Sequence, residues 1–418
     1  MVAYIFAFID RHVLNLLIEP IKAAYHLSDT QVSLVQGFAF GLFLSLAALP
    51  IGRLVDTRKR TRVLATGIGV WSLAAAACGL AVSFPAFVTA RIMVSAGEAT
   101  MTPTAMSLIG DRFPPERMGI ATAIYALGLH IGSGLALLLG AFAISHLSAL
   151  QIALPWGRAL HGWQLVFVAL GLPGLLVAAW AASLREPTRG AYAAAPLPPV
   201  SLRDSIDFLV GKGRAMILIN LAVAFALMAS YGIAAWLPSF FIRHHGWSAV
   251  MVGQAYGPAV IVSGVVGVLL AGFGGDALVR RGVADGRLKI MAAGALIAAP
   301  FAALAPLLEA PGLGLIAFAA ANLAVAVAAG SGPALLQEIA PAHMRGVSHA
   351  VALLTVNVLA LGLGPSVVAL VTDHVIGNEL LVGRSLAVVP PIMLVVASVI
   401  ALCARAPLRR YRQTAARL

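Results

Sequence analysis

Four charged residues sit inside apolar runs, where a charge is costly, and their spacing points to one shared site. Asp10 and Arg11 interrupt the first apolar run, and Arg91 and Glu98 interrupt the fourth, within Arg91-Ile-Met-Val-Ser-Ala-Gly-Glu-Ala99. A charge at mid-bilayer costs about 2.5–3.5 kcal/mol on insertion scales, so such residues face a bundle interior or a watery cavity. Arg91 and Glu98 are seven residues apart, which puts them on one helix face, about 10 Å apart along its axis. Arg11 and Arg91 can each meet an anionic group, because the guanidinium fork matches carboxylate and phosphate. Asp10 and Glu98, set between apolar neighbours and arginines, can change protonation state. A static structural network of the four charges is the competing reading.

The elements that must hold these charges are membrane spans. The chain has 418 residues, 61% hydrophobic and only 11% charged, with a mean hydropathy of +0.95. A soluble domain averages about 25% charged residues. The apolar runs are long and continuous rather than alternating, which excludes a β-barrel. Twelve of them reach the roughly 20 residues a helix needs to cross a bilayer. The net charge of +12 would suit nucleic acid, but 22 of the 28 Lys and Arg residues fall in alternate loops and their flanks, as the positive-inside rule requires. Both termini are therefore expected in the cytoplasm of a bacterial inner (plasma) membrane, with no nucleic-acid partner. Cys78 and Cys403 lie in separate apolar runs and imply no disulfide framework. The first run has no basic leader region or cleavage site and carries Asp10-Arg11, so it is not a signal peptide. It begins at Met1 with almost no preceding loop, and a longer natural N-terminus is expected.

The expected architecture is an all-α membrane protein of twelve transmembrane helices in two pseudo-symmetric six-helix halves. Residues 1–183 form the N-terminal half and 184–213 a cytoplasmic linker with Pro196, Pro198 and Pro199 and a short amphipathic helix at 202–209. Residues 214–405 form the C-terminal half and 406–418 a cytoplasmic tail. Internal repetition supports the duplication. Gly52-Arg-Leu-Val-Asp56, followed by bases, returns 220 residues on as Gly272-Phe-Gly-Gly-Asp276, followed by Arg280 and Arg281. Asp111, Pro114 and Arg117 return as Glu338, Pro341 and Arg345 after 227 or 228 residues. Duplicated halves with a site between them are a transporter architecture.

Gly52-x-x-x-Asp56 with its following bases resembles the loop 2–3 signature of the major facilitator superfamily. Thr57 and Lys59 depart from the usual pattern. The glycine is expected to admit a close helix approach, and Asp56 to pair with Arg60, Arg112 or Arg117, as a gate that breaks on opening. Asp276, Arg280 and Arg345 are the counterpart gate residues of the second half. A solvated turn carrying topology charges is the blander reading. Within that superfamily, residues 1–145 resemble the spinster family. The resemblance rests on Phe8-Ile9-Asp10-Arg11, Gly52–Arg62, Arg91-x-x-x-x-x-Gly97-Glu98-Ala99 and Gly128-x-x-x-Gly132-Ser133-Gly134, with Ser95 replacing a common glycine. The second half matches only at the superfamily level, including Trp236-Leu237-Pro238. The resemblance implies proton-linked or facilitated movement of an anionic amphipathic lipid, a lysophospholipid or a sphingosine-1-phosphate-like molecule.

The remaining candidates are individually less specific. Tyr4, Tyr125, Tyr231 and Trp236 are expected to line the cavity, as are Asn322, Ser331 and Asn357, with interhelical hydrogen bonding the rival role. His130 reads as a packing histidine before a proton relay, and Gly128, Gly132, Gly134 and Gly140 as sites of close helix contact. His244-His245 lacks zinc spacing, and no nucleophile–base or phosphate-loop pattern occurs, so no catalytic residue, metal or cofactor is expected. The expected partners are the lipid substrate, protons and membrane lipids, and the protein is read as a monomer. By depth along the spans, Asp10 and Glu98 form the proton-linked pair, with Arg91 toward the outer mouth and Arg11 toward the inner. A carrier of small organic anions or drugs is the nearest alternative. A membrane enzyme acting on lipids would need a clustered catalytic set, and a channel would need rings of charge.

Overall fold

The structure, a computed structural model, describes residues 1–153, 159–189, 213–283, 285–339 and 351–415. It is helical almost throughout; the one sheet among the described residues is a two-stranded ribbon, Ile152–Ala153 against Ala159–Leu160. Two compact units form, one from Met1–Ala195 with Leu237–Ile261, the other from Pro196–Trp236 with Val262–Leu418. The amphipathic helix expected at 202–209 lies outside the described residues, as does Arg345.

Ten helices among the described residues are long and apolar enough to cross a membrane, and they correspond to spans 2, 3 and 5–12. Spans 1 and 4 are helical but broken, and these are the two that carry the intramembrane charges. Span 1 runs as a helix over Val2–His12, tightens to a 3₁₀ turn at Val13–Leu16 and resumes at Ile18–Tyr25. Pro20 explains the break, since it has no N–H to give the Leu16 carbonyl one turn back. Span 4 runs over Phe84–Glu98 and resumes at Met101–Arg112. At this break the Thr100 hydroxyl donates to the Gly97 carbonyl at 2.8 Å, competing with the helix ladder.

Capping residues set the starts. Ser28 accepts from the Gln31 N–H while Gln31 returns a bond to the Ser28 N–H, a capping box that opens span 2 at Asp29. Ser83 caps span 4 with Pro85 in its first turn. Span 2 (Asp29–Thr57) carries a π-helical turn at Leu34–Ala39, which turns Gln36 toward span 1. Span 5 (Pro115–Leu147) lies against span 1 through small residues. A Cβ on Gly132 would stand 2.7 Å from Phe8 Cβ and 2.8 Å from the Ile5 carbonyl, so only glycine permits this approach. That contact seats Asp10, one half-turn further along span 1.

In the second unit, spans 9 (Gly286–Leu304), 10 (Pro311–Ile339) and 12 (Val382–Cys403) pack around a core that includes Ile219, Leu288, Met291, Leu335, Ala401 and Leu408. Gly294 brings spans 9 and 10 together, its missing Cβ leaving 2.9 Å to the Ala324 carbonyl. Residues Arg405–Ala415, read from sequence as a plain tail, continue as an amphipathic helix. Gly52–Asp56 and Gly272–Asp276, read as loop motifs, are instead the last turns of spans 2 and 8 (Ala249–Arg280). No breaker intervenes until the extended backbone at Arg58 and the left-handed Gly282.

Candidate functional site

The first unit gathers both intramembrane arginines around one ring. Phe40, fully buried on span 2, has the guanidinium carbon of Arg11 at 5.0 Å and that of Arg91 at 4.9 Å from its ring centroid. Arg11 also lies 4.7 Å from the Phe8 centroid. Cation–π contact of this kind is worth most where water is excluded. Arg11 is ion-paired with Glu98, and Arg91 donates through Nη1 to the Asp10 backbone carbonyl at 3.3 Å. Asp10 and Glu98 are each 3% exposed and Arg91 is 1% exposed.

Asp10 and Glu98, read from sequence as a proton-linked pair, make no direct hydrogen bond with each other, and Glu98 is ion-paired with Arg11. Arg91 makes no ion pair among the described residues, and its Nε and Nη2 have no hydrogen-bond partner there. The same holds for Asp10 Oδ2 and Glu98 Oε1. A buried guanidinium with two donors unspent can take up an anion, and a buried carboxylate oxygen without a donor can take up a proton.

A second polar row extends from this cluster along span 1 and escaped the sequence reading. Gln36 donates to the Asn15 side-chain carbonyl, and Asn15 lies 3.4 Å from His12 Nδ1. His12 stacks on Phe8 with centroids 5.6 Å apart. The helical offsets Asp10, Asn15 and His12 were legible as polar residues, but nothing in sequence announced the π turn that brings Gln36 to them.

Tyr125, expected to line a cavity, stacks on Tyr4 at 4.3 Å and meets Thr102 at 3.3 Å. Tyr4 in turn meets Phe8 edge-on at 4.9 Å, so an aromatic file runs from Tyr125 to Arg11. Tyr125 also lines an apolar groove of about 480 Å³ in the first unit, bounded by Val2, Met101, Ile109, Ile124 and Trp180, with Arg117 among its lining residues.

The gate candidates fall elsewhere than expected. Asp56 is exposed and pairs with none of Arg60, Arg112 or Arg117 among the described residues. A Cβ on Gly52 would meet nothing within 4 Å, so no helix closes on it. Arg60 is buried and committed to another set of acids: it is ion-paired with Asp111 and donates to Glu186 at 2.6 Å and to the Pro187 carbonyl at 2.9 Å. Burial by itself raises the Glu186 carboxyl, but hydrogen bonds from Thr61 and Arg60 outweigh it and pull the pKa down to about 2. This node ties the start of span 3 (Arg60–Leu80) to the ends of span 4 and span 6 (Gly162–Ser183). Arg112 and Arg117 are exposed.

In the second unit Asp276 takes Arg287 at 2.7 Å rather than Arg280, which is exposed. Its neighbour Asp285 holds Arg405 at 2.8 Å and Arg409 at 3.2 Å, fastening the terminal helix to the start of span 9. Burial raises the Asp285 carboxyl, and hydrogen bonds from Arg405 and Lys289 overcome this and bring it to about 2. Trp236, expected to line a cavity, is 0% exposed and gives its indole N–H to the Pro365 carbonyl at 2.9 Å. A buried indole needs such an acceptor, and here it is a packing residue. Asn322 donates to Ser263 at 2.8 Å, which is the interhelical bond weighed as its rival role. Tyr231 and Asn357 are half-buried on spans 7 (Arg214–His245) and 11 (Val351–Ile376), and His130 is half-buried on span 5.

Comparison with known proteins agrees with this architecture. Residues 1–365 match the model of the Major Facilitator Superfamily. The crystal structure of a bacterial homologue of the human lysosomal transporter spinster, in an inward-facing and occupied conformation, superposes with a TM-score of 0.79 at 26% identity, covering 99% of this chain and 95% of that one. A major-facilitator-type efflux pump of Mycolicibacterium smegmatis is 27% identical over 66% of this chain, and spinster homolog 3 of Danio rerio is 24% identical over 63%. The matched stretches span only 60% and 53% of those two relatives.

Proposed function

The chain belongs to the Major Facilitator Superfamily, and from that premise we propose that it carries an anionic amphipathic lipid, such as a lysophospholipid, across the membrane by proton-coupled alternating access. Membrane transport follows from the family and from the spinster-like structure it resembles; this is a transporter rather than an enzyme. The observation that carries the finer reading is Arg91, fully buried and without a carboxylate partner among the described residues, beside Asp10 and the Arg11–Glu98 pair. Arg91, with two donors unspent, is the group that would take the anionic head. Protonation of Glu98 would release Arg11 for the same head, which links proton and substrate through one ion pair. The apolar groove and the aromatic file from Tyr125 to Arg11 support a substrate with a greasy tail. In this reading the residues 1–183 and 214–405 are the two moving halves, joined by 184–213, and the base-rich helix ends and the tail face the cytoplasm of an inner membrane. In this reading the acting unit is a single chain.

The efflux pump among the relatives favours a second reading, export of small amphipathic molecules through the same charges. Uptake of a lysolipid panel into proteoliposomes, with and without an imposed pH gradient and beside short carboxylates and cationic drugs, separates the two. Lysolipid movement that rises with the gradient supports the proposal. Movement of the drugs alone overturns it.

A further inference from the structure

Span 2 carries a buried amide whose direction the polar row fixes. Gln36, 6% exposed, stands in the π turn Leu34–Ala39 and gives its Nε2–H to the Asn15 side-chain carbonyl on span 1. Asn15, 4% exposed, passes the direction on, its Nδ2 lying 3.4 Å from His12 Nδ1. Turning the Gln36 amide over would set oxygen against oxygen. An amide has one donor end and one acceptor end, so a committed nitrogen leaves the oxygen on offer. Gln36 Oε1 has no hydrogen-bond partner among the described residues. A buried oxygen in that state is costly, and folded proteins keep few of them.

The register of spans 1 and 2 places that oxygen beside the charge cluster. Asn15 faces Gln36, and four residues back along span 1 and on along span 2, Arg11 faces Phe40. Gln36 therefore sits one turn, about 6 Å along the axis, from the ring that Arg91 meets at 4.9 Å. The π turn sets it there, because one residue added to the ladder rotates those before it by about 100°. We propose that Gln36 is a substrate-binding residue that sets specificity. Arg91 takes the anion of the head group, and Gln36 Oε1 takes a hydrogen-bond donor, a hydroxyl or an ammonium, borne by the same head. A head of equal charge with its donors methylated would leave Oε1 unpaired, which is how a site built around a hydrogen bond rejects an analogue. Asn15 is a positioning residue, holding the amide with its oxygen outward from the row. The proposal rests on the reading of Arg91 as the anion site.

The test uses two pairs of single-chain phosphodiesters, matched in chain and charge, on the full-length protein in nanodiscs. Hexadecylphosphoethanolamine is set against hexadecylphosphocholine, and 2-hydroxyethyl hexadecyl phosphate against its 2-methoxyethyl counterpart. Half-saturating concentrations are read from thermal stabilisation. In the parent, the donor-bearing member of at least one pair is expected to bind about fivefold tighter or more. The pair that responds tells whether the donor is ammonium or hydroxyl. Gln36→Leu should bring that ratio to within about twofold of one, and Asn15→Leu should lower it partway. If Gln36→Leu is not monodisperse, Gln36→Met carries the test. A purely structural role for Gln36 would shift all the probes alike and leave the ratio where the parent has it, which overturns the proposal. A ratio kept in Gln36→Leu would assign the donor to Asp10, whose Oδ2 is another unspent acceptor. A parent that binds both members of each pair equally overturns the role of Gln36 alone. A parent that binds none of the four overturns the anionic-lipid reading, and this proposal with it.

Discussion

Replacing Gly97 with alanine puts a methyl group where span 4 crosses span 3, one residue before the Glu98 carboxylate. The added Cβ would stand 2.7 Å from the Trp71 backbone nitrogen, 2.9 Å from the Gly67 carbonyl and 2.9 Å from Trp71 Cβ. Two of these neighbours are backbone, and Trp71 is fully buried, so the contact is relieved only by moving one span off the other. Overpacking of this kind costs about 1–3 kcal/mol, of which the better helix propensity of alanine returns at most about 1 kcal/mol. A net loss of about 1–2 kcal/mol is roughly a five- to thirtyfold change in the folded ratio. Gly110 on the same span is the control, because a Cβ there meets nothing within 4 Å. Gly110→Ala should gain about 0.4–1 kcal/mol by restricting the unfolded chain. Thermal unfolding of both variants in one detergent, followed by size-exclusion chromatography, reads the difference. Gly97→Ala should melt several degrees lower and Gly110→Ala slightly higher. Equal midpoints, or a stabilised Gly97→Ala, would refute the claim that this glycine sets the span 3–4 distance.

Other variants address the charges. Glu98→Gln and Asp10→Asn should each flatten the pH dependence of transport in proteoliposomes while the protein stays folded, and an unchanged pH profile in both would remove proton coupling from this cluster. Arg91→Lys should keep partial transport and Arg91→Ala lose at least tenfold, because lysine restores the charge without the fork; equal activities would place the anion elsewhere. Glu186→Gln should cost about 1–2 kcal/mol at neutral pH. The Glu186 carboxyl is held near 2 in the folded protein, so its contribution is present above the ordinary value of 4.5 and is lost as pH falls toward 2. The variant's deficit, measured by thermal unfolding from pH 7 down to pH 3, should therefore shrink; a constant deficit would assign the loss to packing instead.

Composition and the order of residues determined much of this protein unaided. Long apolar runs leave a chain no option but helices in a bilayer, since each backbone polar group must be satisfied within its own segment. Charges inside such runs are costly enough to mark a site by their presence alone, which is how Asp10, Arg11, Arg91 and Glu98 were legible. Glycine spacing on span 5 likewise announced the contact that Gly132 makes with Phe8 and Ile5. Tertiary structure decided who pairs with whom. Arg60 stands four residues from Asp56, yet the helix break between them turns it toward Asp111 and Glu186. Glu98 took Arg11 as its ion-pair partner, and Trp236 gave its indole N–H to the Pro365 carbonyl. An ion-pair cluster where the end of span 7 meets spans 1 and 2 was illegible for the same reason. Glu19, Lys22 and Asp29 lie close in sequence, but the cation that completes them, Arg243, is 214 residues away from Asp29. Short-range periodicity states which face a side chain occupies; only packing brings two distant faces together and so chooses the partner of a charge.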